Sequence, residues 1–89
     1  MAKRKKLPGY HIADIPKGDL GEISKIHEEA LELKDADEQN CQIMVLVELS
    51  DLLGSIDHYL RKHHPSLSIN DLQKMANITE RAFKNGRRT

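Results

Sequence analysis

The residues of this sequence best suited to chemistry are five carboxylates: Glu28, Glu29, Glu32, Glu48 and Asp51. Glu48 interrupts Met44-Val45-Leu46-Val47-Glu48-Leu49, within the most apolar stretch of the chain. A carboxylate is almost never buried unless it is paired or metal-bound, because its charge loses the solvation that water gave it. Asp51 follows Glu48 at three residues and shares its helix face, and Glu29 and Glu32 repeat that spacing upstream. Relative to the first acid of each pair, apolar residues fall at −3, +1 and +4: Ile26, Ala30 and Leu33 in one case, Val45, Leu49 and Leu52 in the other. At about 100° per residue, each acidic pair lies at the same edge of its own apolar stripe. Packing the two stripes together brings the four carboxylates to the border of the core. Such a hard-oxygen set suits Mg²⁺ or Mn²⁺, which usually keep waters that substrate phosphates can replace. The bland alternative is a solvated helix surface, with pairs such as Lys25 and Glu28 or Glu29.

These acids need two helices to carry them. Pro8, Gly9, Pro16 and Gly18 make residues 1–18 an irregular arm. Asp19 followed by Glu22 has the residue types of a capping box and starts the first helix near Leu20, with Ile23, Ile26, Ala30 and Leu33 as its stripe. A polar turn spans Lys34 to Asn40, where Asp37 or Asn40 can cap the second helix. That helix is expected from about Cys41 to about Lys62, apolar over more than half its girth through Ile43, Val45, Leu46, Val47, Leu49, Leu52, Leu53, Ile56 and Leu60. Gly54 within it implies another helix passing close by. His63-His64-Pro65 ends it. Ser68 and Asp71 cap a third helix bearing Leu72, Met75, Ala76, Thr79 and Phe83, which Gly86 stops.

The fold expected is all-α: a single domain over residues 19–89, an antiparallel bundle of three main helices. An 89-residue chain with 3% aromatic residues has a thin core of aliphatic side chains. The unused apolar girth of the second helix therefore predicts dimerisation into a four-helix-type core. Fourteen basic residues balance fourteen acidic ones, so no global field marks a nucleic-acid or membrane binder. The longest apolar stretch, Ile43 to Val47, is far too short to span a bilayer. The lone Cys41 cannot form an internal disulfide. A soluble, cytoplasmic protein is the expectation.

Glu28-Glu29-Ala30-Leu31-Glu32, then fifteen residues, then Glu48-Leu49-Ser50-Asp51 resembles the EExxE and ExxD signature of MazG-like proteins in the all-α NTP pyrophosphohydrolase superfamily. The resemblance extends over roughly residues 18 to 88 and includes a basic third helix. It implies Mg²⁺-dependent hydrolysis of a nucleoside triphosphate to the monophosphate and pyrophosphate, by a homodimer or dimer of dimers. By matching motif positions, Glu29, Glu32, Glu48 and Asp51 are the metal ligands and Glu28 an auxiliary acid. The same acids serve relatives that act on phosphoribosyl-ATP. This chain is one short unit, without the second domain some relatives carry.

Lys74, Asn77, Arg81, Lys84 and Arg88 form a polar stripe on the third helix. Lys74 and Arg81 are the preferred phosphate contacts, with Lys84 and Arg88 behind them. Tyr10, Tyr59, Phe83, His27, Asn77 and Asn85 are candidates to meet a base. His58, His63 and His64 lie near one helix end, but adjacent histidines point about 100° apart, which is poor for zinc. A di-iron bundle needs Glu-x-x-His, which the sequence lacks. The reading from another class is a helical module that binds nucleic acid through its basic termini, which Lys3 to Lys6 favours weakly and the lack of a recognised DNA-binding motif disfavours.

Overall fold

The computed structural model describes residues 11–84, with side chains as far as Arg81. Three helices follow an extended arm: α1 (Ile23–Glu38), α2 (Gln42–His63) and α3 (Ile69–Lys84). The described residues are otherwise irregular, so the all-α expectation holds. None of these helices is long and apolar enough to cross a membrane.

The ends of the helices follow local chemistry, in part not the chemistry expected. α1 begins three residues later than Leu20. Gly21 takes a positive φ of 89° and Glu22 is extended, so helical geometry cannot start before Ile23. Glu22 makes no side-chain cap, and the Asp19 N–H donates to Ser24 Oγ at 3.0 Å. At the other end Asn40 occupies the left-handed region, with φ 58°. Its N–H donates to the Asp37 carbonyl at 2.9 Å, and the Cys41 N–H to the Ala36 carbonyl at 3.2 Å. Asn40 thus closes the C-terminus of α1 in a Schellman motif and does not cap α2. The box at α3 forms as expected: the Ser68 N–H donates to Asp71 Oδ2 at 2.8 Å and the Asp71 N–H to Ser68 Oγ at 3.3 Å. Gly86 lies outside the described residues.

The three-residue turn folds α2 back antiparallel on α1. Lys62 and His63, at the end of α2, both pair with Glu22 at the start of α1. Among the described residues α3 packs on α2 and shares no contact with α1. The unit is thus an α1–α2 hairpin with α3 leaning on α2, looser than a closed three-helix bundle.

Burial inverts the ordinary rule. Among the described residues the buried apolar side chains are Ala36 and Leu60, whereas Glu28, Glu29, Asp35, Glu48 and Ser55 are buried polar ones. Ile23 and Ala30, expected in the stripe of α1, are exposed, and Ile26 and Leu33 are only partly covered. The seam between α1 and α2 is filled by carboxylates.

Candidate metal centre

Antiparallel packing places the acids of α1 opposite those of α2. Oxygens of Glu29, Glu48 and Asp51 lie within 4.8 Å of one another, as do those of Glu28, Glu29 and Glu32. The two ExxE/D pairs therefore meet, as their matching offsets require. Glu48 is 3% exposed and Glu29 5%, while Asp51 faces solvent at the rim. One carboxylate oxygen of Glu29 and one of Glu48 are buried with no hydrogen-bond partner. Leaving a buried anionic oxygen unpaired costs several kcal/mol, on the order of the penalty for desolvating a charge. A cation at this point removes that cost, and the donors are all hard oxygens. The residues therefore fit a metal ion that takes oxygen ligands.

Proton affinities record the crowding. Burial, reinforced by the Glu29 and Glu48 charges, pushes the Glu32 carboxyl up to about 7. Glu28 moves the other way: the Gly18 N–H donates to it at 2.8 Å and Lys25 Nζ lies 3.1 Å away, so its carboxyl is held below the usual value. Lys25 also reaches Glu29, at 3.1 Å. The pairing named above as the bland alternative thus exists. Glu28 and Glu29 are nonetheless buried, so this is no solvated helix surface.

Two residues that sequence reasoning missed complete the cluster. His11, in the arm, places Nε2 3.0 Å from Glu48 Oε2 and 3.5 Å from Glu32 Oε1. Its Nδ1 lies 3.0 Å from Asp35 Oδ2. Burial opposes charge on the ring, but the hydrogen bonds to Asp35 and Glu48 and the charges of Glu48 and Glu32 prevail and raise its pKa. Asp35 also accepts the Ile12 N–H at 2.8 Å, the Ala13 N–H at 3.2 Å and Gln39 Nε2 at 3.1 Å. Although burial works against ionisation, the donors from Ile12, His11, Ala13 and Gln39 keep its carboxyl below the usual range. No spacing in the sequence links residue 11 to residues 35 and 48. The one available signal was Asp35 itself, an acid one helical turn beyond Glu32 and on the same side of α1.

Beside the acids an open cleft of about 240 Å³ is lined by Leu20, Lys25, Glu29, Ser50, Asp51, Gly54, Ser55 and His58. At Gly54 nothing among the described residues lies within 4 Å of where a Cβ would sit, so none of the described helices passes close there. The glycine widens the cleft instead. Lys74 and Arg81 are exposed on α3, and since α3 does not touch α1, the chain alone does not bring them to Glu29 and Glu32. The Lys84 side chain and Arg88 lie outside what is described, as do Tyr10, the Phe83 side chain and Asn85. His27 and Asn77 are exposed. Tyr59 packs on His63 at 4.6 Å between ring centroids and on His64 at 5.9 Å. His58 Nδ1 bonds the Gly54 carbonyl and His63 bonds Glu22, so these histidines form no metal-binding group among the described residues.

Compared with known proteins, the chain matches no protein-family model, no curated protein and no solved structure.

Proposed function

We propose that this chain is a divalent-metal-dependent, MazG-like pyrophosphohydrolase that converts nucleoside triphosphates to monophosphates and pyrophosphate. The observation that carries the reading is the meeting of Glu29, Glu48 and Asp51 from two helices, with buried, unpartnered oxygens on Glu29 and Glu48. Glu29, Glu32, Glu48 and Asp51 would hold Mg²⁺, with Mn²⁺ as a substitute. The ion supplies neutralisation of the phosphate charge and a more acidic attacking water. Water attacks the α-phosphorus, the α–β bridging oxygen leaves with pyrophosphate, and a carboxylate of the cluster takes the water's proton. Lys25 lines the cleft and can turn from Glu28 and Glu29 toward a phosphate oxygen once the acids are otherwise neutralised.

The cleft falls short of the roughly 300 to 1,000 Å³ usual for small-molecule sites and is open on one side. A second copy of the chain would supply the missing wall. In such a homodimer or dimer of dimers the partner's α3 would carry the phosphate-binding cations Lys74, Arg81 and Lys84, with Arg88 following in the sequence. The cytoplasmic location expected from the lone cysteine belongs to this same proposal.

The test is pyrophosphate release from a panel of NTPs and dNTPs with Mg²⁺, with an EDTA control and Glu48→Gln alongside. Glu48→Gln should keep its helical circular dichroism and lose both turnover and Mg²⁺ binding. Phosphoribosyl-ATP belongs in the panel: cleavage of it alone would replace the substrate, and release from nothing, or unchanged turnover in Glu48→Gln, would retire the reading.

A further inference from the structure

His11 does not belong to the acidic signature, yet it reaches the same carboxylates from a different segment of the chain. Three observations bear on what it does there. First, Asp35 is nearly fully buried and receives two backbone N–H groups, so it is a fixed anionic acceptor. An ionised carboxylate cannot donate, so the hydrogen bond at Nδ1 pins a proton on that nitrogen. Without metal, Nε2 carries the second proton of the ring and donates it to Glu48 at 3.0 Å. A dication can displace that proton, which leaves an Nε2 lone pair and the oxygens of Glu48 and Glu32 facing one point.

Second, the spacing, set by a hydrogen bond in the metal-free chain, also suits the edges of a coordination polyhedron. Donors about 2.1 Å from a metal stand about 3.0 Å apart across an octahedral edge and about 3.4 Å apart across a tetrahedral one. Nε2 lies 3.0 Å from Glu48 Oε2 and 3.5 Å from Glu32 Oε1. Third, Glu48 is shared between this group and the group with Glu29 and Asp51, and its remaining oxygen is buried without a partner. A carboxylate bridging two neighbouring cations uses both oxygens.

We propose that His11, Glu32 and Glu48 form a second cation site beside the all-oxygen one, a mixed nitrogen and oxygen site that takes a transition-metal dication such as Zn²⁺ or Co²⁺ in preference to Mg²⁺. Imidazole nitrogen is a good ligand for Zn²⁺ and Co²⁺ and a poor one for Mg²⁺, which prefers oxygen. Asp35 is the positioning residue: a carboxylate behind a ligating histidine fixes its tautomer and ring orientation. The arm thereby becomes part of the site, since Ile12 and Ala13 hold the carboxylate that orients His11.

The inference rests on the acid cluster used in the hydrolase reading, but its readout is metal binding without nucleotide, so the two fail separately. Isothermal titration of the full chain with ZnCl₂, CoCl₂ and MgCl₂ is compared for the native protein, His11→Gln and Asp35→Asn, with Co²⁺ absorption as a second readout. His11→Gln keeps a polar side chain but offers no imidazole lone pair, and circular dichroism confirms that each variant is folded. Expected is a loss in Zn²⁺ and Co²⁺ affinity of about 10- to 100-fold in Asp35→Asn and at least as large in His11→Gln. Mg²⁺ affinity should change by less than about threefold. Equal Zn²⁺ affinity in the native chain and His11→Gln would overturn the site. So would a matching loss for Zn²⁺ and Mg²⁺, which would make His11 a brace for the carboxylates and not a ligand.

Discussion

Glu32 sits where burial and two neighbouring carboxylates act on its proton in the same direction, and its carboxyl is pushed up to about 7. An acid whose folded pKa lies above its unfolded value of 4.5 is protonated preferentially in the folded state. Its cost to stability is absent below the unfolded value, grows as pH rises through the window up to about 7, and is complete above it. Without metal, the melting temperature should therefore carry a component that falls across that window. A divalent ion offsets the cost only where Glu32 is ionised, so the rise in melting temperature on adding Mg²⁺ should be small near pH 5 and large near pH 8. Differential scanning fluorimetry across that range checks this, and Glu32→Gln should flatten both trends. Glu28 depends on a backbone group instead. At Gly18 a Cβ would run into the Ser24 carbonyl oxygen, a backbone atom with little room to yield. Gly18→Ala must displace the arm and remove the N–H that Glu28 accepts at 2.8 Å. Losing a hydrogen bond to a buried charged group costs roughly 1.5 to 3 kcal/mol, which urea denaturation can resolve.

Among the elements, α2 bears both the most informative acid and a glycine in open space. Gly54→Ala should raise stability by about 0.5 to 1 kcal/mol through helix propensity alone. The same methyl projects into the cleft beside Asp51, so it should also weaken substrate binding if that cleft is the site; melting temperature and KM separate the two effects. The helices themselves were legible because the apolar period is long and the Ser68–Asp71 box is a local signal. Helix starts were less legible. Nothing in the sequence declares that Gly21 takes a positive φ, so Asp19 looks like a cap it does not provide. Asp37 and Asn40 both have the residue type that opens α2, yet Asp37 lies within α1 and the left-handed backbone of Asn40 closes it, since one residue type serves both ends. That Glu29 of α1 meets Glu48 and Asp51 of α2 could be read from matching offsets on the two helices. The part played by His11 could not, because the arm reaches Asp35 through backbone N–H groups, which any residue supplies.

At the scale of the whole molecule, the chain buries carboxylates between α1 and α2 and leaves many of the large aliphatic side chains of α2 exposed. Ile43 is 76% exposed, Leu46 67%, Leu53 51% and Leu49 45%. These four fall within an arc of about 120° on α2, away from the face that carries Glu48. Met75 and Ile78 of α3 are exposed as well. Burying four such side chains is worth on the order of 5 kcal/mol per chain, the same scale as the whole stability of a small domain. A seam of buried acids cannot supply that stability by itself, so association should stabilise the hairpin as well as wall the cleft. Native protein should sediment as a dimer or larger species at micromolar concentration, with a melting temperature that rises with concentration. Leu46→Glu places a charge in the middle of the apolar arc without touching the acid cluster. It should give monomers, lower the melting temperature and, because the cleft then lacks its second wall, raise KM for a triphosphate. A native chain that stays monomeric at every concentration, with Leu46→Glu no less stable than the native protein, would remove the dimer and leave the cleft to bind substrate in its open form.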